Sequence, residues 1–328
     1  MSTTDRSRGA RVSDAAGAGV TGPAGTLAAE GAENADDRVG TPVRRSRAAT
    51  FRKSMSNPWA SLIAIVIAVL WTIPTAGLLI SSIRPEFSVK NTGWWTWFTN
   101  PEFTANNYNL VLYGSEGFAT VFINTIVITL PAVVIPITLA LLAAYAFAWI
   151  EFPGRDWIFV GVFALQIVPI QIALIPLLTD YVNWGIAGSF WPVWLSHSIF
   201  ALPLAVFLLH NFMKDIPRSL IEAAMVDGAG HVKIFFQVLL PVLTPAIAAF
   251  AVFQFLWVWN DLLVALIFGS AQNTAPLTVR LANIVGTRGS EWHLLTAGAF
   301  ISMIVPLVVF IALQRFFVRG LLAGSVKG

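Results

Sequence analysis

Long apolar runs separated by short polar stretches occupy most of the chain after residue 57. Six of these runs reach the length of about 20 residues that an α-helix needs to cross the hydrocarbon core of a bilayer. The second run is too long for one perpendicular helix, so part of it is expected to tilt or to leave the bilayer. The pattern therefore predicts an all-α, polytopic membrane protein with six transmembrane helices, at residues 59–80, 118–150, 157–179, 190–213, 242–268 and 294–314.

Composition supports this class of protein. Of 328 residues, 56% are hydrophobic and 11% are charged, and the mean hydropathy is +0.73. An ordinary soluble domain has about a quarter of its residues charged. Residues 1–55 differ from the rest, because they are rich in small and polar residues and poor in branched or aromatic ones. We expect this segment to be a disordered cytoplasmic tail and residues 56–328 to form the transmembrane domain.

The positions of Lys and Arg predict the orientation of the chain. With the N-terminus inside, twelve of them flank the spans on the inner side and four on the outer side. This excess places both termini and the stretch 215–241 in the cytoplasm. The inner residues are Arg44, Arg45, Arg47, Arg52, Lys53, Arg155, Lys214, Arg218, Lys233, Arg315, Arg319 and Lys327, and the outer ones are Arg84, Lys90, Arg280 and Arg288.

The stretch 215–241 is polar and too short to span a bilayer. Asp215 and Pro217 indicate a helix start, and Gly228 indicates its end, because glycine readily takes the left-handed conformation that terminates helices. A second helical pattern follows and runs to Pro241. The first helix is predicted to be amphipathic, which suits either a docking surface for another protein or an interfacial connector. Its apolar face contains Leu220, Ile221, Ala224 and Met225.

Within the spans, Asp261 is the single carboxylate, and an intramembrane carboxylate is by default a candidate functional residue. Asn260 and Trp257 are close to it in sequence, and Gln254 lies two helical turns earlier on the same face. Aromatic rings with a carboxylate and amides are what a sugar site uses. Alternatively, Asp261 and Asn260 cap a half-helix or bond a neighbouring helix. Weaker candidates, which interhelical hydrogen bonds also explain, are Gln166, Gln171, Asn124 and Gln314.

Other chemistry is not indicated. The chain has no Cys, its four His residues lack metal-ligand spacing, and it contains no phosphate-binding GxxxxGK[ST] segment. We therefore predict no metal site, no cofactor and no ATP site in this chain. Any energy from ATP has to come through a partner.

One motif carries a family resemblance. Glu222, Ala223 and Ala224 are followed after three residues by Gly228 and after nine more by Val238, Leu240 and Pro241. This spacing resembles the EAA loop of ATP-binding-cassette (ABC) importer permeases, with Val238 in place of the usual Ile. The resemblance implies that the stretch docks on an ATPase subunit. The residues implied in coupling are Glu222, Ala223, Ala224, Asp227, Gly228 and Pro241.

Four further segments are similar to carbohydrate importer permeases of the maltose type. They are residues 103–112, Asn124 with Thr125, residues 259–263 and the ending 314–328. Residues 276–300 resemble the alpha-glucoside members. The resemblance implies a permease in a prokaryotic cell membrane that works by alternating access and is not an enzyme. Implied partners are a second permease, a homodimeric ATP-binding subunit, an extracytoplasmic sugar-binding protein and membrane lipid, without nucleic acid. A tail contact with the ATPase is implied for Ser325, Val326, Lys327 and Gly328.

Two alternatives stay open from the sequence. A secondary transporter or channel would use intramembrane charges for ion coupling and often shows repeated halves. One carboxylate and no evident repeat disfavour it. Within the importer class, the alternative substrates are glycerol phosphates, amino acids and phosphonates. A phosphorylated substrate would want basic residues along its path, yet the spans contain no Lys or Arg before Arg315.

Overall fold

The computed structural model describes residues 58–114, 118–286 and 291–325, with side chains up to residue 314 apart from 285 and 286. The tail 1–55 and Val326, Lys327 and Gly328 lie outside the described residues. Residues 1–67 and 68–328 form two units. In the first, residues 58–67 begin a helix with exposed side chains. All packing described below belongs to the second.

Helices account for all regular structure in the described ranges. They include two short 3₁₀ helices, Trp94–Phe98 and Leu165–Ile167. The α-helices are α1 Pro58–Ser82, α2 Glu86–Asn91, α3 Asn106–Tyr113, α4 Phe118–Trp149, α5 Arg155–Ala164, α6 Ile170–Asn183, α7 Trp191–Lys214, α8 Arg218–Val226, α9 His231–Trp259, α10 Leu263–Phe268, α11 Leu277–Gly286 and α12 Trp292–Ser325.

Five of the described helices are long and apolar enough to cross a membrane, namely α1, α4, α7, α9 and α12. The third predicted span, 157–179, is wrong as a single straight helix. It is a bent pair, α5 and α6, whose axes differ by 100°. The bend lies at Val168, which is extended, and Pro169. A residue before proline is driven out of the helical region, which explains the break. Counting the pair as one span gives six.

The fifth predicted span, 242–268, is also corrected. Its helix α9 begins at His231, so the predicted break at Pro241 is absent, and it ends at Trp259. Residues 234–239 form a π-helical stretch just before Pro241. Proline lacks an N–H and its ring crowds the carbonyl four residues earlier, and a wide turn relieves both problems. After Trp259 the chain breaks and resumes as α10.

Helix α8 lies between α7 and α9 and is the short polar helix predicted from the sequence. It starts at Arg218 with Pro217 at its N-cap position, and Asp215 directly follows the last residue of α7, so a capping role of Asp215 stays a prediction. Gly228 has φ of 78°, as predicted for a helix end. A Cβ at this position would meet no atom within 4 Å. Glycine is therefore required by the backbone conformation and not by local crowding.

Close packing of α4 against α7 forms the centre of the bundle. Both helices bury alanines at a spacing of four residues, Ala140 and Ala144 on α4 and Ala201 and Ala205 on α7. Small residues let two helices approach closely in a membrane. Side-chain hydrogen bonds fasten further elements to α4, since Asn124 Nδ2 donates to the carbonyl of Asn273 at 3.0 Å. Asn124 thus bonds a loop between two helices, and the predicted bond to a neighbouring helix is wrong in its partner.

Candidate functional site

A cavity of about 520 Å³ lies at the bend between α5 and α6. The two halves of the bent pair border the cavity on one side, and α7 and α9 border it on the others. Broken helices at membrane depth are tolerated where they line a cavity. Its lining includes Gln166, Val168, Pro169, Gln171, Phe200, Leu204, Phe250, Phe253, Gln254 and Trp257.

Amides supply the polar groups of the cavity. Gln166 and Gln171 are exposed at the bend. Gln254 is 1% exposed, and its Nε2 donates to the carbonyl of Ala132 at 3.1 Å. Its Oε1 is buried and accepts no hydrogen bond within the described part of the chain. Among the described lining residues none is charged. The cavity therefore offers neutral donors and acceptors beside aromatic rings.

Trp257 gives the cavity its largest aromatic surface and connects it to a buried histidine. The ring of His197 on α7 packs edge-on against Trp257, with centroids 5.4 Å apart. His197 is 1% exposed, and its Nε2 lies 3.6 Å from Oδ2 of Asp261. The sequence analysis missed this role of His197. A histidine inside an apolar run was the available signal, but its partners are 60 or more residues away in sequence.

Asp261 and Asn260 lie at the break between α9 and α10 and do not line the cavity. Asp261 accepts hydrogen bonds from the backbone N–H groups of Ala265 at 2.9 Å and Val264 at 3.4 Å. Asn260 Nδ2 donates to the carbonyl of Leu256 at 2.8 Å. The capping interpretation is therefore confirmed. A part in a substrate path stays a prediction for both residues.

Of the residues predicted for a substrate path, the structure brings Gln171, Gln254 and Trp257 together around the cavity. These come from α6 and α9, more than 80 residues apart in sequence. Gln314 is exposed near the end of the described side chains and lies outside the cavity. The sequence analysis gave Gln171 only a weak claim, because the bend that exposes it was not foreseen.

Helix α8 presents a second candidate surface. Ile221 is 3% exposed and packs in the core with residues of α4, α7 and α9, which fixes the helix against the bundle. Of the predicted apolar face, Ala224 is half-buried but Leu220 and Met225 are exposed. Glu222, Ala223, Asp227 and Gly228 are exposed as well, and Pro241 is exposed on α9.

An open groove adjoins this helix at the start of α9. It is lined by Gly230, His231, Val232, Lys233, Phe236 and Gln237. Val226, Val232 and Phe236 expose more than half of their side chains there. Exposed apolar side chains next to charged ones are typical of surfaces that bind another protein. The geometry of α8 and the groove thus suits docking.

Residues 136–322 match the family of binding-protein-dependent transport system inner membrane components. The chain belongs to this family. It is 55% identical over 268 residues to the osmoprotective compounds uptake permease protein GgtD of Synechocystis sp., covering 80% of this chain and 90% of that protein. It is 48% identical over 256 residues to the alpha-glucoside transport system permease protein AglG of Rhizobium meliloti, covering 76% and 67%.

The fold agrees with this assignment. A chain from the crystal structure of a bacterial ABC transporter involved in the import of the acidic polysaccharide alginate matches with a TM-score of 0.68 at 20% identity. The match covers 84% of this chain and 100% of that one. The predicted all-α ABC importer permease fold is confirmed. The protein is a multi-pass membrane component of a transport system, and its family is not itself catalytic.

Proposed function

We propose that this chain is a permease subunit of an ATP-driven importer for a glucoside or small oligosaccharide and forms half of the translocation path. The observation that carries the substrate class is the cavity at the α5 and α6 bend, with three glutamines, Trp257 and no charged lining residue among those described. Amides suit sugar hydroxyls and aromatic rings suit the apolar faces of pyranoses. A phosphate, phosphonate or amino acid would want a charged partner, which disfavours those alternatives.

Relatives support the same class. One is named for alpha-glucoside transport and another for uptake of osmoprotective compounds. A third, from Bacillus subtilis, is the melibiose/raffinose/stachyose import permease protein MelC, 30% identical over 269 residues. Small glycosides are a substrate class that fits the first two names together with the neutral cavity. A secondary transporter is disfavoured by the family.

The proposed coupling element is α8. Ile221 anchors it to the bundle, while Glu222, Ala223 and Asp227 face outward. An ATPase subunit that binds this surface would move α8 and, through the core around Ile221, the inner ends of α7 and α9. We propose as further partners a second permease, a homodimeric ATP-binding subunit, an extracytoplasmic sugar-binding protein and surrounding lipid. ATP hydrolysis resides in the partners. Ser325 to Gly328 are proposed to contact the ATPase.

Reciprocity follows from this arrangement. If ATP binding in the partner changes the affinity of the permease for sugar-loaded binding protein, then that binding protein must change the affinity for ATP by the same factor. The proposed coupling also predicts that substrate delivery changes the rate of ATP hydrolysis, which serves as the readout. The chain purified with its partner subunits in vesicles is expected to hydrolyse ATP faster with alpha-glucosides and binding protein than with glycerol phosphate or amino acids. Stimulation by a charged solute and none by glycosides would refute the substrate class.

The cavity is tested in the same assay with Gln171→Leu, which keeps the size of the side chain and removes its hydrogen-bonding groups. Loss of one hydrogen bond costs about 1 kcal/mol, so the sugar concentration for half-maximal stimulation should rise about five-fold. Thr179→Val is the matched control, because Thr179 lies on the same helix and bonds only its own backbone at Ile175. Equal responses of the two variants would exclude the cavity from the path.

Orientation gives a separate prediction, that both termini are cytoplasmic. The chain has no Cys, so a single introduced cysteine reports its own side of the membrane. Gln272→Cys is expected to react with an impermeant thiol reagent in intact cells, and Ser219→Cys only after permeabilisation. Both residues are exposed. Gly114 is unsuitable, because a Cβ there would collide with the carbonyl oxygen of Leu110. The opposite labelling would reverse the topology.

A further inference from the structure

Five aromatic rings form a continuous cluster in the connection between α1 and α4. The aromatic cluster consists of Trp94, Trp95, Trp97, Phe98 and Phe103. Their rings meet edge to face, with centroids 5.3 Å apart for Trp97 and Phe103 and 5.6 Å for Trp97 and Phe98. Three of the five are nevertheless about two thirds exposed, namely Trp95, Phe98 and Phe103. The cluster therefore presents a large apolar surface outside the cavity and outside α8.

Buried polar contacts hold this connection rigidly. Arg84 is 3% exposed, and its Nη1 donates to the carbonyl of Gly93 at 3.0 Å. Its Nη2 donates to the hydroxyls of Thr92 and Thr96. Asn107 Nδ2 donates to the carbonyls of Ser82 and Arg84. These hydrogen bonds tie the segment that carries the exposed rings to the end of α1, although Nε of Arg84 and Nε1 of Trp97 are buried without a partner among the described residues.

The cluster lies beside the apolar helix α1 and not beyond its end. The Trp94 ring packs on Gly77, where a Cβ would lie 2.8 Å from Nε1 of Trp94. Gly77 is five residues before the last residue of α1, Ser82, which corresponds to about 7.5 Å along the helix axis. The 3₁₀ helix therefore returns to a level inside the apolar helix. At the same level α1 exposes apolar side chains, with Leu79 44% exposed.

The charged side chains of this connection lie mostly outside the aromatic cluster. Residues 92–101 contain no charged side chain, and Glu102, which precedes Phe103, is half-buried and accepts hydrogen bonds from Ser88 and Asn100. The charged pair of the connection lies on α2, where Lys90 donates to Glu86. This hydrogen bond holds the pKa of the Glu86 carboxyl below its usual value, so the pair is ionised at neutral pH. A segment with an uncharged run of aromatic residues next to an apolar helix, and with its neighbouring charged groups held in hydrogen bonds, is typical of chains lying at a membrane interface.

We propose that the aromatic cluster is a membrane anchor, seated at the boundary between lipid headgroups and acyl chains and continuous with the lipid-facing surface of α1. Tryptophan suits this boundary, since its ring is apolar and its N–H reaches polar groups. The anchor fixes the outer end of α1 and the connection to α4 in the bilayer, so that the bundle moves against a held element. This proposal does not depend on which solute is transported.

The test measures the environment of spin labels in the full chain, purified with its accompanying subunits and reconstituted into phosphatidylcholine and phosphatidylglycerol vesicles. Trp95→Cys and Phe98→Cys carry the label in the cluster. Asn109→Cys is the matched control, because Asn109 is an exposed polar residue of α3 in the same connection. Power saturation compares collisions with oxygen, which concentrates in lipid, and with a nickel chelate, which stays in water.

At positions 95 and 98 we expect oxygen to be favoured over the chelate several-fold more than at position 109. Chelate collisions as frequent as at position 109 would place the cluster in water, as a docking face for a soluble partner, and would overturn the proposal. Protection from both oxygen and chelate would show that another protein subunit covers the cluster, which would overturn it too. Because exposed side chains are replaced, the variants are expected to reach the membrane in normal amount.

Discussion

Replacing Glu222 by lysine is expected to abolish uptake while the amount of chain in the membrane is unchanged. Glu222 is exposed on α8, so the substitution disturbs no core packing. Reversal of a charge against a complementary partner costs about 3 kcal/mol, which weakens binding about a hundred-fold. The measurement is uptake of labelled glycoside in cells, together with the amount of ATPase that co-purifies with the variant.

Glu151→Lys is the matched control. It makes the same change of charge at an exposed residue in the loop between α4 and α5, which the orientation prediction places on the same side of the membrane. The control is expected to transport normally. If Glu222→Lys also transports normally, α8 is an interfacial connector and not a docking helix. An ATPase variant that restores uptake to Glu222→Lys would identify the partner surface directly.

The lengths and positions of the apolar runs predicted part of this fold well. The first, second and fourth spans begin and end within two residues of α1, α4 and α7. This agreement arises because these helices are continuous over the whole apolar run. The bend in the third span was missed because an apolar run can continue through a break in a helix. The bend at Pro169 does not interrupt the hydrophobic pattern, whereas the polar pair Asn260 and Asp261 marks the break in the fifth span.

Proline alone does not reveal such breaks. Pro131, Pro136 and Pro203 lie inside unbroken helices, whereas Pro169 marks a bend of 100°. The difference depends on whether neighbouring helices supply packing and hydrogen bonds on both sides, which local sequence does not contain. The cavity depends on that bend. Its glutamines could be named from the sequence, but their meeting around one space could not.

The motif in α8 was predictable for a different reason. A glycine that ends a helix and a short amphipathic pattern are local properties, and Gly228 has the predicted left-handed conformation. The extent of burial was less predictable, because Leu220 and Met225 stay exposed in the chain although they share the apolar face. Apolar side chains in this position are expected when the partner that covers them is a separate protein.

Asp261→Ala is expected to lower the amount of assembled protein, because it removes a cap from α10 within the bundle. The backbone N–H groups of Ala265 and Val264 would lose their acceptor. An unsatisfied buried donor costs about 2 kcal/mol, or about thirty-fold in the ratio of folded to unfolded protein. The measurement is the amount of chain in the membrane and the Tm of the purified complex.

Asp261→Asn separates capping from transport, because the amide oxygen can still accept the hydrogen bond from Ala265 at nearly the same position. Its abundance and Tm are expected to stay near those of the unchanged chain. Asn260→Ala is the control for the same break, since Asn260 is exposed and bonds only the carbonyl of Leu256. If Asp261→Asn assembles normally but loses transport, Asp261 contacts the substrate or a gate in addition to capping α10. If Asp261→Ala accumulates and melts like the unchanged chain, the cap contributes no stability, and the proximity of His197 needs another explanation.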